Sequence, residues 1–252
     1  FIGFTPREWV EVAEPEVLRF QYLSTSPMKR VLLNLSKVPA YTDEFDRAER
    51  IYYGTERARD EELGRMLAKA YELSLLGEPP ESQPFQLRYV HAVALVQTLP
   101  SRGRALDEAL ERLRRTGYLK GGLSPADIER IERRLRLASR WLERYAPPIY
   151  RIELLEEFRP ELLRDVRVDV RRMLRELVKN LSGVEWTEAG IRDAMVRIER
   201  TKEEEREFFR VLYLAFFGRP HGPRIAPYLA MLDRDWVLRR IGEVLKALGS
   251  GA

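Results

Sequence analysis

The chain has 252 residues, of which 33% are charged and 44% hydrophobic, an ordinary composition for one large or two smaller globular domains. Its 44 basic and 40 acidic residues leave a net charge of +4, which permits a polyanionic partner without requiring one. The absence of cysteine excludes disulfides, thiol catalysis and cysteine-based zinc sites, and is compatible with the cytoplasm. Because there are only two histidines and no apolar run of roughly 20 residues, we expect neither a metal site nor a membrane partner.

Apolar residues recur three and four positions apart along most of the chain, which predicts an all-α fold. The pattern and its cap signals predict helices over residues 5–12, 16–23, 38–54, 57–76, 85–99, 103–116, 125–145, 160–181, 187–199, 201–217 and 233–248. Residues 28–35 are the one segment predicted to be extended. Pro147 and Pro148 are the best candidates for an internal boundary, because the helical pattern must stop there.

Motifs that carry catalysis are missing from the sequence. We find no glycine-rich phosphate loop, no nucleophile elbow and no metal-spaced set of histidines and carboxylates, and therefore predict no catalytic residue. His91 falls on the apolar stripe of the helix at 85–99, which favours a buried, hydrogen-bonded histidine over a ligand.

One stretch predicts a binding site. An aromatic helix ends at Gly218, which suits the left-handed position after a helix, and Pro220 and Pro223 restrict the loop that follows. Arg219, His221 and Arg224 are therefore presented on a stiff loop, where guanidinium groups suit a phosphate or the edge of a base. For His221, stabilising the loop and contacting a partner remain equal alternatives.

Basic residues interleaved with aromatic ones continue through residues 206–240, where seven arginines stand against three acidic residues. We add Tyr228 and Arg239 to the candidate RNA contacts, because an exposed aromatic ring can stack on an unpaired base and arginine can bind phosphate. Most aromatic residues of this region fall on the apolar stripe of a helix, however, and are predicted to be core.

Two further basic sets extend the candidate interface. Arg164, Arg167 and Arg171 follow a common face of the predicted helix at 160–181, so they could track a phosphate backbone. Lys29 and Arg30 lie on the predicted extended segment and could also touch phosphate. A solvated surface is the alternative for both sets.

Four stretches together carry a family resemblance. They are residues 9–19, 43–54, 141–147 and 208–236, and the last contains the sequence GRPHGPR. In this order, across nearly the whole chain, they resemble the C-terminal part of a class I lysyl-tRNA synthetase of the archaeal type.

The resemblance implies a stem-contact region at residues 1–54, followed by a helical anticodon-binding cage with subdomains at 55–148 and 149–252. It implies lysine tRNA as the partner, a cytoplasmic location, and a catalytic domain in cis that uses ATP and Mg²⁺. The HIGH and KMSKS motifs of that domain do not occur here and Phe1 is not a methionine. We therefore expect a piece of a longer protein that holds no cofactor and is inactive alone.

The predicted function is recognition of the anticodon region of lysine tRNA, in support of lysyl-tRNA aminoacylation. Its alternative is a helical protein-interaction module that keeps the cage fold without binding RNA. The near balance of charge favours the alternative, because a strong RNA binder often carries a larger basic excess.

Overall fold

The structure, a computed structural model, describes residues 3–99, 105–166 and 169–249. Over these ranges the chain forms α-helices, short 3-10 helices and no β-strand, which confirms the all-α prediction. The α-helices are α1 (Pro6–Val12), α2 (Pro15–Leu23), α3 (Val38–Tyr52), α4 (Glu61–Ser74), α5 (Tyr89–Thr98), α6 (Ala105–Arg115), α7 (Pro125–Arg144), α8 (Arg171–Ser182), α9 (Glu188–Val196), α10 (Lys202–Phe217), α11 (Ile225–Ala230) and α12 (Arg234–Gly249). The 3-10 helices are Leu35–Lys37, Pro148–Tyr150 and Pro160–Leu163.

Several helices begin where their local cap signals lie. In α1, α7 and α10 a hydroxyl accepts the backbone N–H three residues further on, and the carboxylate at that position accepts the N–H of the cap residue. These capping boxes are Thr5 with Glu8, Ser124 with Asp127, and Thr201 with Glu204. Proline in the first turn reinforces α1, α2 and α7, because its missing N–H would have no partner there.

Residues 28–35 form no β-strand. The Lys29 backbone N–H donates to the Ser26 carbonyl in a turn, and residues 30–34 have no regular secondary structure. Asn34 is locally extended and caps the 3-10 helix at Leu35–Lys37. A strand needs a neighbouring strand to complete its hydrogen bonds, and none lies among the described residues.

The single basic helix predicted over residues 160–181 is wrong. The chain forms a 3-10 helix at Pro160–Leu163 and begins α8 only at Arg171. The Asp169 carboxylate accepts the Arg171 backbone N–H at 2.9 Å, a local turn that competes with helix continuation. The β-branched residues between the two helices also have a low helix propensity. Because the helix is broken, Arg164 and Arg171 do not share a helix face.

The sequence patterns did not reveal α11. All six of its residues, Ile225–Ala230, are buried, so the segment lacks the polar face by which an amphipathic helix is recognised. Pro227 lies inside it, which masks a helical pattern in sequence although proline is tolerated in a first turn.

Packing divides the chain into two compact units. Unit 1 comprises Phe1–Val93 and Leu123–Pro147, and unit 2 comprises Ala94–Gly122 and Pro148–Ala252. One division falls inside α5, whose central residues are fully buried, and His91 on the same helix is 2% exposed. The stem-contact region and two cage subdomains are a different partition and stay a prediction.

Unit 1 is organised around buried ion pairs. Arg134 of α7 is 1% exposed and contacts the carboxylates of Glu14 at 2.8 Å and Asp46 at 2.7 Å. Burial alone would lower the pKa of Arg134, but Asp46 and Glu14 outweigh it and hold the pKa above its usual value. One helix turn away, Arg130 binds both carboxylate oxygens of Glu49. These pairs tie α7 to α3 and to the residue before α2.

Unit 2 contains the aromatic helix α10. It packs against α12, while α8 packs against α9 and α12, and α11 packs against α9. Trp186, just before α9, joins the segment before α12, since its indole N–H donates to the Leu232 carbonyl at 3.0 Å. These contacts give unit 2 a helical core of its own.

Candidate nucleic-acid interface

The loop of residues 218–224 begins at a left-handed glycine. Gly218 has a φ of 65° and its N–H donates to the Leu214 carbonyl, so it ends α10 as predicted. A Cβ at Gly218 would lie 3.3 Å from the Leu155 side chain. The Leu155 backbone N–H in turn donates to the Phe216 carbonyl at 2.8 Å, so residues 151–155 line the start of the loop.

Tyr213 holds the far side of the loop. Its hydroxyl donates to the Pro223 carbonyl, and its ring fills the space beside Gly222, where an added Cβ would come within 2.7 Å of the ring. Burial raises the pKa of Tyr213 to about 12. The tyrosine therefore remains a neutral hydrogen-bond donor at physiological pH, and the loop conformation is fixed by groups beneath it.

The three loop residues singled out from the sequence differ in their surroundings. Arg219 is half-buried, and its Nη1 donates to the Arg151 carbonyl at 2.7 Å. His221 and Arg224 are exposed, and within the described part of the chain neither side chain makes a hydrogen bond or ion pair. The loop thus brings one anchored and one unpaired guanidinium to the surface with an imidazole between them in sequence.

Tyr228 must be removed from the candidate contacts. It lies in α11 and is fully buried, with its ring 6.0 Å from that of Phe217. The Gln97 side-chain amide donates to its hydroxyl at 3.5 Å. Without an exposed ring face, Tyr228 cannot stack on a base.

The other aromatic residues of this region are mostly core, as the sequence predicted. Phe208, Phe216 and Phe217 are buried. Trp236 and Phe209 are only partly exposed, and an arginine guanidinium lies over each ring. Because they are buried, Phe208, Phe216 and Phe217 cannot stack on a base.

Arg239, on α12, is exposed and lines an open groove of about 430 Å³. Its neighbour Arg240 is 3% exposed and donates to the carbonyls of Leu155, Ala215 and Glu156 at 2.8–3.0 Å. Of these two adjacent arginines, only Arg239 is available to a partner. Arg240 joins α12 to the end of α10 and to the segment beside it.

The second basic set is dispersed. Arg164 is exposed after its 3-10 helix, whereas Arg171 binds both oxygens of Asp169 at 2.8 and 2.9 Å. The hydrogen bonds from Arg171 lower the pKa of Asp169 to about 2, so this arginine already has a permanent counterion. Arg167 lies outside the described residues.

Lys29 and Arg30 belong to unit 1 and are exposed after the turn that ends α2. Their side chains make no ion pair among the residues that the structure describes. They remain candidate phosphate contacts, on a segment without secondary structure.

Sequence reasoning missed the supports of the interface. The sequence pattern does not distinguish Tyr213 from the other aromatic residues of 206–240, and it gives no reason to include residues 151–158. Their roles depend on contacts between residues far apart in sequence, such as the one between Arg219 and Arg151. The only local signal was the Gly-Pro composition of the loop, which indicated rigidity without showing its cause.

Within the described ranges no helix is long and apolar enough to cross a membrane. The same residues contain no group of three or more histidine, cysteine or acidic side chains that could hold a metal ion.

Comparison with known families places both ends of the chain. Residues 1–76 match the family described as tRNA synthetases class I (K), and residues 144–245 match the anticodon binding domain family. The second match contains the loop 218–224 and Arg239. Over these two segments the chain is therefore similar to class I tRNA synthetases and to anticodon-binding domains.

The resemblance to the lysine enzymes is confirmed by curated relatives. The chain is 39% identical to a lysine–tRNA ligase of Aeropyrum pernix over 96% of its length, 37% identical to that of Thermococcus kodakarensis over 92%, and 34% identical to that of Pyrococcus horikoshii over 92%. It spans only about 44% of the length of these relatives.

Proposed function

We propose that this chain binds lysine tRNA through the anticodon arm, as the cytoplasmic tRNA-gripping part of a lysine–tRNA ligase. The observation that carries the proposal is the clamped loop 218–224. It presents Arg219, His221 and Arg224 from a fixed backbone, within the residues matched by the anticodon binding domain family. ATP and Mg²⁺ would be bound by a separate catalytic domain of the same ligase, not by the residues of this chain.

The physical basis is the division of labour common to RNA-binding proteins. Arginines at Arg219, Arg224 and Arg239 would hold phosphates, which supplies affinity but little sequence information. The imidazole of His221 would contact an unstacked base of the anticodon loop, the kind of RNA in which bases are accessible. Because Tyr213 fixes the loop before binding, little conformational entropy is lost when the RNA arrives.

The test is the salt dependence of binding to a lysine tRNA transcript. We expect the affinity of the unaltered chain to fall steeply with salt, because phosphate contacts release counterions. Replacing both Arg219 and Arg224 by alanine should weaken binding and reduce the log–log slope by about 2. Arg65→Ala is the matched control, since Arg65 is an exposed arginine outside the anticodon-binding match.

The result also separates RNA binding from the alternative function. A helical protein-interaction module would show no tRNA affinity that depends steeply on salt. If the double variant and the Arg65 control bound lysine tRNA equally well, the loop would not be the interface.

A further inference from the structure

The groove beside Arg239 has a composition unlike that of the loop. Two aromatic residues line it, Phe158 and Trp236, together with three carboxylates and two guanidinium groups. The carboxylates belong to Glu156, Glu157 and Glu243, and the guanidiniums to Arg239 and Arg240. With a volume of about 430 Å³, the groove is large enough to take a planar group the size of a nucleobase.

The floor of the groove is rigid. The Arg240 guanidinium lies 4.6 Å from the centre of the Trp236 ring, a cation–π contact. It also donates to three backbone carbonyls, and its Nε donates to the Glu243 carboxylate at 3.0 Å. The orientations of Trp236 and Glu243 are therefore set before any ligand arrives.

The charges of the groove select against phosphate and in favour of a base. Three carboxylates against two guanidiniums repel an anion from the interior. Carboxylate oxygens instead accept hydrogen bonds from the amino and imino groups on base edges, while the partly exposed rings of Phe158 and Trp236 offer apolar surface against a base plane. Arg239, which is exposed, can contact the phosphate of the same nucleotide.

We propose that this groove takes one unstacked nucleobase of the bound RNA, with the base against Phe158 and Trp236 and its N–H groups directed at the carboxylates. The inference rests on the proposed function and assigns a base-binding role to residues outside the loop. Residues 151–158 connect the two sites, since Arg151 anchors Arg219 and Glu156 to Phe158 line the groove.

The experiment couples protein variants to single missing bases. The probe is an RNA hairpin with the anticodon stem and loop of a lysine tRNA, and a set of hairpins in which each loop nucleotide in turn lacks its base but keeps its phosphates. For the unaltered chain we expect one abasic position to weaken binding by about 10-fold, the scale of one stacked base. Phe158→Ala should bind the intact hairpin about 10-fold more weakly. Its affinity should not fall further when the hairpin lacks the base at that position.

Glu157→Gln tests the base edge, because it keeps the side-chain shape and removes the charged acceptor. This variant should bind the intact hairpin more weakly and lose no further affinity at the same abasic position. Glu199 is an exposed carboxylate on another segment of unit 2, so the control Glu199→Gln should bind like the unaltered chain. If every abasic loss were the same in Phe158→Ala as in the unaltered chain, the groove would hold no base while the proposed function stood. If the unaltered chain did not bind the intact hairpin, both would fail.

Discussion

In unit 1, Arg134 is enclosed with Glu14 and Asp46 and has no exposed surface to offer a partner. In unit 2, Arg224 lies exposed at the end of the loop, with no ion pair among the described residues. Both are arginines in a chain where basic and acidic residues nearly balance. Only the second is accessible to a partner.

The difference shows why net charge is a poor guide to function here. Some of the acidic and basic residues in that total are paired with each other in the interior of unit 1, such as Glu49 with Arg130. Such pairs contribute nothing to the electrostatic potential that a distant polyanion experiences beyond the screening length. A locally basic loop is therefore compatible with a nearly balanced chain.

Removing the buried arginine should have the largest effect. Arg134→Met removes the nearest counterion of the buried Glu14 and Asp46 carboxylates, and we expect a loss of about 3–5 kcal/mol in the free energy of unfolding. Denaturant unfolding followed by circular dichroism measures it. Arg136→Met, an exposed arginine on the same helix, should change stability by less than about 0.5 kcal/mol. Equal effects of the two substitutions would mean that the buried network does not organise unit 1.

Disturbing the clamp of the loop should come next. In Gly222→Ala the new Cβ would lie 2.7 Å from the buried ring of Tyr213, and we expect a loss of about 1–3 kcal/mol from overpacking together with weaker binding to lysine tRNA. Gly242→Ala is the matched control, because its Cβ would meet nothing within 4 Å and alanine favours the helix. A Gly222→Ala chain as stable as this control would show that the tyrosine does not confine the loop.

These features differ in how far the sequence could predict them. The capping boxes at Thr5, Ser124 and Thr201 are local, so helix starts followed from a few adjacent residues. The break before Arg171 is also local, but the prediction rested on the helical spacing of the basic residues and did not include the turn at Asp169. At Arg171, the hydrogen bond from its backbone N–H to the Asp169 side chain sets where the helix begins, although the spacing of the basic residues would allow an earlier start.

The candidate site was predicted less completely than the fold. The loop and its exposed Arg224 followed from composition, but the burial of Tyr228 depends on α11, which has no polar face. The anchoring of Arg240 depends on carbonyls that lie 25 to 85 residues away in sequence. A sequence without an alignment contains no signal for such contacts, so two adjacent arginines with opposite environments could not be distinguished.

A smaller effect is expected from the clamp's hydrogen bond alone. Tyr213→Phe keeps the ring against Gly222 and removes the donor to the Pro223 carbonyl, which should cost about 1 kcal/mol near neutral pH. The folded-state pKa of about 12 lies above the ordinary value of 10.0, so the stabilisation from the neutral hydroxyl is complete below pH 10 and is lost as the pH rises toward 12. The stability difference between the unaltered chain and Tyr213→Phe should therefore narrow over that range. A difference independent of pH would show that folding does not raise the pKa of this hydroxyl.

The smallest effect should come from an arginine that is paired but exposed. Arg171 binds Asp169 through two hydrogen bonds, the same geometry as a buried bidentate pair, but water screens the charges and replaces the lost bonds. Arg171→Ala should therefore shift the denaturation midpoint far less than Arg134→Met. The pKa of Asp169, about 2 in the folded chain, should rise toward its ordinary value of 3.8, which carboxyl chemical shifts in an acid titration would measure. If Arg171→Ala matched Arg134→Met in stability loss, pairing rather than burial would govern what an arginine contributes to this protein.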